Sequence, residues 1–78
     1  MHLEIITPDK KLFEDEVMTL TLPGIDGSFG ILDNHAPLIS ALKKGKIKVT
    51  DKLSARHIFE INGGVVEVLN NKVIVLAE

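Results

Sequence analysis

Four residues of this chain could supply a nucleophilic relay: Ser28 and Ser40 as hydroxyls, His35 as base and Asp33 as its orienting carboxylate. Acyl-transfer chemistry by such a set needs the serine on a sharp elbow beside oxyanion donors, and no G-x-S-x-G occurs. The plainer reading makes Asp33 and Asn34 turn residues and His35 a hydrogen-bonded loop or contact residue. Metal chemistry would need clustered ligands. The histidines stand at 2, 35 and 57, with no H-x-x-x-H or D-x-D pattern, so no metal is expected. The chain has no cysteine, which excludes disulfides, thiolate metal sites and a cysteine nucleophile. Gly24, Gly27 and Gly30 are spaced by threes, which is not the dinucleotide fingerprint, and no helix follows them. They read as positive-φ turns and a tight β-corner. Two charge clusters of opposite sign remain, Glu14-Asp15-Glu16 and Lys43-Lys44-Gly45-Lys46-Ile47-Lys48. Each is either a solvated face that blunts edge pairing or a dock for an oppositely charged partner. The residues alone point to no enzyme and no cofactor.

The elements that must position these groups are short. At 78 residues the chain is one small domain over 1–78. It is 45% hydrophobic but only 4% aromatic, so its core has to be built from Ile, Leu and Val. With no Trp or Tyr and a net charge of −2, it has neither the stacking platform nor the basic surface of a nucleic-acid binder. No basic segment followed by an apolar run opens the chain, and no apolar run approaches the ~20 residues of a spanning helix. No secretory signal and no direct membrane insertion are expected.

Breaks fall at Thr7-Pro8-Asp9-Lys10, Pro23-Gly24-Ile25-Asp26-Gly27, Lys43-Lys44-Gly45, Asn62-Gly63-Gly64 and Asn70-Asn71. Between them the apolar period is two, or the run is continuous. Leu3 and Ile5 alternate with His2, Glu4 and Ile6; Met18, Leu20 and Leu22 with Val17, Thr19 and Thr21; Ile47 and Val49 with Lys46 and Lys48; His57, Phe59 and Ile61 with Ile58 and Glu60. Val65–Leu69 and Val73–Leu76 are rich in β-branched residues and flank Asn70-Asn71, a hairpin signal because asparagine tolerates positive φ. No window has the length of helical period that a stable helix needs. The pattern predicts an all-β fold, a flattened sandwich or barrel of about nine or ten short, mostly antiparallel strands. Shaped loops on such a scaffold mark a binding module.

The stretch Gly24-Ile25-Asp26-Gly27-Ser28-Phe29-Gly30-Ile31-Leu32, then Asn34-His35-Ala36-Pro37-Leu38, carries a resemblance. Together with His2-Leu3-Glu4-Ile5-Ile6-Thr7-Pro8, Asn62-Gly63-Gly64-Val65-Val66-Glu67-Val68 and the closing Val73–Glu78, it resembles the N-terminal β-sandwich of the epsilon subunit of F-type ATP synthases. The resemblance implies a non-catalytic central-stalk subunit on the cytoplasmic face of the bacterial plasma membrane. Its partners would be the gamma subunit and the c-ring, coupling proton translocation to ATP synthesis. It implies c-ring contact through Asp26, Gly27, Ser28 and Phe29, and gamma contact through Thr7, His35, Ala36, Pro37 and Leu38. Many members carry an acidic residue where this chain has Ser28, which leaves Ser28 polar contact but no salt bridge. Asp33 replaces the usual proline and removes a φ constraint. Longer members continue into a helical hairpin that carries inhibition and, in some, ATP binding. This chain ends at Glu78, so neither is expected of it. The alternative is a free-standing β-sandwich module that binds a small ligand or peptide through loops 24–37.

Overall fold

The computed structural model describes all 78 residues and is all-β, with six strands: β1 (His2–Ile6), β2 (Lys11–Gly24), β3 (Gly27–Leu32), β4 (Leu38–Asp51), β5 (Arg56–Leu69) and β6 (Lys72–Ala77). They follow the order β1-β6-β5-β4-β2-β3, and β1 also pairs with β2. Five strands thus close into a flattened barrel, with β3 as an extra edge strand. Only β1 and β6 run parallel. No helix is long and apolar enough to cross a membrane.

Six strands replace the expected nine or ten because β2, β4 and β5 each run 14 residues. Two expected breaks are strand interiors. At Lys43-Lys44-Gly45 the ladder continues from Lys43↔Gly63 to Gly45↔Ile61, and an added Cβ on Gly45 would meet the Pro23 ring at 2.7 Å. Gly64 lies so close to β6 that an added Cβ would overlap the Leu76 carbonyl. These glycines serve close backbone approach, which allows a strand to continue where a turn signal is read. Of the glycines at 24, 27 and 30, only Gly27 has positive φ, 130°. The β4–β5 hairpin instead turns at Lys52–Ala55, a segment without a glycine or proline signal. There Asp51 Oδ1 accepts from the backbone N–H groups of Leu53 and Ala55, both at 2.9 Å, and Ser54 takes φ 66°. An aspartate folding its own backbone into a turn substitutes for glycine.

The Asn70-Asn71 hairpin forms as expected, with φ 52° and 60° and Leu69 opposite Lys72. The core is aliphatic: Leu3, Ile5, Val17, Leu20, Leu22, Ile31, Ile47, Val49, Val66, Val68, Val73 and Val75 are all buried. The alternation in β2 differs at one point. Val17 is buried while Met18 is exposed, because the register shifts between Val17 and Thr19. A bulge inverts the side-chain alternation beyond it, so Leu20 and Leu22 still face inward.

Candidate functional site

The two shaped loops are held differently. In the first, β2 and β3 join through the exposed pair Ile25-Asp26, with Gly24 opposite Gly27. Ile25 N–H donates to the Ala41 carbonyl at 3.2 Å, which leans the hairpin tip on β4. Asp26, Gly27 and Ser28 are exposed. Phe29 is half-buried, packed on the core, and its ring lies so close to Gly24 that a Cβ there would come within 2.8 Å. Of the four tip residues, Phe29 is therefore also a structural one.

The second loop, Asp33–Pro37, is tied to Met1 and to Asn71 and braced by one contact of its own. The Met1 ammonium donates to Asp33 Oδ1 at 2.6 Å and to the Val17 carbonyl at 3.1 Å, and this hydrogen bond holds the Asp33 carboxyl below its ordinary range. Asn34 N–H donates to the Asn71 side chain at 2.8 Å, and Asn34 takes φ 63°. His35 Nδ1 donates to the Ala36 carbonyl at 2.7 Å. The relay considered for Asp33 and His35 is not assembled: the carboxylate serves the Met1 ammonium, and the imidazole serves the neighbouring carbonyl. The Ser40 hydroxyl turns to the Ala41 carbonyl, 3.4 Å away. Ala36 and Pro37 are exposed, and Thr7, His35 and Leu38 are half-buried. Thr7 also caps its own turn through its hydroxyl and the Lys10 carbonyl at 3.0 Å.

Between Thr7 and Pro37 runs an apolar sheet face that periodicity alone does not reveal. Strand register aligns Ala41, Val65, Leu76 and Ile6 in one row, and Ile39, Glu67, Ile74 and Glu4 in the next. Ile39 is 73% exposed, Leu76 55% and Val65 41%. Shallow clefts along this face connect Thr7 and Pro8 through Val65 and Leu76 to Ile39, Leu38 and Pro37. An apolar strip flanked by polar loops is the form of a protein-docking surface.

One cluster escaped the sequence reading. His2, Glu4 and Glu14 bring ligand-type atoms within 4.8 Å of one another, because β1 places His2 and Glu4 two apart on one face and β2 brings Glu14 opposite Glu4. His2 Nε2 lies 2.8 Å from Glu14 and Nδ1 3.0 Å from Glu16. Lys11 bridges to Glu14 at 2.5 Å, and Lys72 reaches Glu4 at 3.8 Å. Two ammonium groups already neutralise these carboxylates, so the group works as an ionic clasp across β2, β1 and β6. The Glu14 hydrogen bond, opposed by desolvation and aided by Glu16, raises the His2 pKa above its ordinary value.

Comparison with known proteins places this architecture. The sequence model described as "ATP synthase, Delta/Epsilon chain, beta-sandwich domain" matches residues 1–78. The chain belongs to this family. It is 45% identical over 78 residues to the ATP synthase epsilon chain of Campylobacter concisus, covering all of this chain and 60% of that protein. It is also 45% identical over 76 residues to the epsilon chain of Chlorobium limicola, covering 97% of this chain and 86% of that one. The chain thus spans about three-fifths of the length of the first of these epsilon relatives. Among solved structures, the fold matches a chain of the Euglena gracilis mitochondrial ATP synthase (OSCP/F1/c-ring) with a TM-score of 0.90 and 22% identity, over 96% of this chain and 48% of that one. A chain of the Tetrahymena thermophila mitochondrial ATP synthase central stalk/c-ring matches with a TM-score of 0.81 and 20% identity, over 99% of this chain and 62% of that chain. Family membership and the barrel support each other: the motif blocks that carried the resemblance form the two loops and the strands between them.

Proposed function

We propose that this chain is a non-catalytic subunit of the central stalk of an F-type ATP synthase, binding the gamma subunit and the c-ring to help couple proton translocation to ATP synthesis. The observation that carries the proposal is the apolar face on which Ile39, Val65 and Leu76 are exposed and Ile74 is half-buried beside them, in a member of the epsilon family. Gamma docks on this face, with Thr7 at one end and His35, Ala36, Pro37 and Leu38 at the other. The tip Asp26-Gly27-Ser28, backed by Phe29, meets the c-ring. The subunit sits peripherally on the cytoplasmic face of the bacterial plasma membrane. The ligand-module alternative is disfavoured by the clefts of this face, which are walled mainly by the strands and take only Pro37 from loops 24–37.

Size-exclusion chromatography of the chain with the gamma subunit from the same organism tests the reading. One-to-one co-elution is expected, abolished by Ile39→Asp and weakened by His35→Ala, while thermal melts stay at the parent value because both side chains lie outside the core. Ile39→Asp binding like the parent would overturn the assignment of this face.

A further inference from the structure

We infer that the outer surface of β2, β4 and β5, at the end of the β4–β5 ladder distant from Ile39 and Val65, holds a binding site for a small phosphate-bearing anion. Register brings Thr19 opposite Thr50, Thr21 opposite Lys48, and Thr50 opposite Arg56. Three hydroxyls, an ammonium and a guanidinium therefore share one cleft of about 300 Å³ with the His57 ring, and Val49 and Ile58 are its apolar lining. That volume is at the lower end of the roughly 300–1,000 Å³ of small-molecule sites.

The cations are free to act on a ligand. Every ion pair of the chain involves Met1, His2, Lys11, His57 or Lys72 as the positive partner, so Lys48 and Arg56 have none. The hydroxyl groups that hydrogen-bond within the chain are those of Thr7 and Ser40, which leaves Thr19, Thr21 and Thr50 with open donors. The carboxylates of the flanking β4 and β5 positions are engaged elsewhere or set off along the ladder. Asp51 turns inward to His57 at 2.9 Å and to the backbone of its own turn. Glu60 faces Lys46 one step along the ladder.

A phosphate group matches this donor set better than a carboxylate does. The guanidinium of Arg56 can fork onto two of its oxygens and Lys48 can supply a point charge. The threonine hydroxyls then satisfy the remaining acceptors. A lone carboxylate, with two oxygens, would leave hydroxyls unused. The site is independent of the stalk assignment, since it lies at the other end of the β4–β5 ladder and uses none of the docking residues.

The test is titration of the isotope-labelled chain with inorganic phosphate, followed by backbone amide shifts at ionic strength held constant with chloride. Saturable shifts centred on Thr19, Thr21, Lys48, Thr50 and Arg56 are expected, with half-saturation in the millimolar range or below. In Lys48→Gln/Arg56→Gln the affinity should fall by about tenfold or more. Lys43→Gln/Lys44→Gln removes the same charge elsewhere and should bind like the parent. Non-saturable shifts, or equal losses in both double variants, would reduce the effect to general electrostatics and overturn the site. A response to a poly-glutamate peptide with none to phosphate would assign the groove to an acidic protein partner and overturn it equally.

Discussion

Gly64→Ala is the sharpest test of how this barrel is held. Gly64 lies in β5 opposite Ala77 at φ 148°, a conformation that costs a residue with a Cβ about 1–3 kcal/mol. The new methyl would also overlap the Leu76 carbonyl oxygen and stand 3.1 Å from the Ala77 Cα. These are backbone atoms and cannot turn aside as a side chain would. β6 must therefore move off β5, straining the bonds from Glu78 N–H to the Gly63 carbonyl at 3.0 Å and from Asn62 N–H to the Glu78 carbonyl at 3.2 Å. At about 0.5–1.5 kcal/mol each, the two bonds bring the expected loss to about 2–6 kcal/mol. A domain of this size has a total of only about 4–12 kcal/mol. Each kcal/mol lowers the melting temperature by about 4–8 °C, so differential scanning calorimetry should show a fall of about 10 °C or more, or no cooperative transition. Gly27→Ala is the control. Its φ is 130°, but nothing lies within 4 Å of the added carbon, so only the conformational cost applies. If Gly64→Ala melts no lower than Gly27→Ala, the close approach of β5 and β6 is not what selects glycine at this position.

Three further outcomes follow from the ionic and turn contacts. His2→Gln should cost stability at pH 5.5 and progressively less towards pH 8.5, read as the difference in melting temperature from the parent. A histidine whose folded pKa is raised, here by Glu14 first, stabilises fully below its free value of 6.5 and loses that contribution as pH rises through the folded value. Asp51→Asn should show the opposite window. Its carboxyl is held low first by His57 and then by the Ala55 and Leu53 N–H groups, so the deficit should be present above the ordinary value of 3.8 and be lost as pH falls through the lowered value. Asn70→Ala forces a non-glycine, non-asparagine residue to φ 52° and should lower stability by about 1–2 kcal/mol, whereas Asn70→Gly should melt near the parent.

Phe29 shows how placement changes a role. As a tip residue it is implied to meet the c-ring, yet its ring packs on the core and over Gly24. Phe29→Asp should therefore unfold the domain before it reports on any contact, and Asp26→Lys or Ser28→Lys is the cleaner probe of the tip.

Much of this molecule is legible in its residues one strand at a time. Alternation assigns the inner faces of β1, β4 and β5, because side chains on a strand change sides at every residue. Asn70-Asn71 announces its hairpin, because its two residues tolerate the φ that a two-residue turn demands. The aliphatic core follows from the near absence of aromatic side chains. What the tertiary structure alone decides is everything that depends on which strands are neighbours. The parallel seating of β1 against β6 closes the barrel and builds the His2, Glu4, Glu14 and Lys72 clasp. Alignment of β4, β5 and β6 gathers exposed Ile39, Val65 and Leu76 and half-buried Ile74 onto one face, and that of β2, β4 and β5 gathers three threonines, Lys48 and Arg56 into one cleft. Register between distant segments is set by packing and loop geometry. Periodicity within one segment says which side a residue faces but not what it will face. Glycine carries the same ambiguity: Gly27 marks a turn, while Gly45 and Gly64 mark close contact inside strands, and only their neighbours distinguish them.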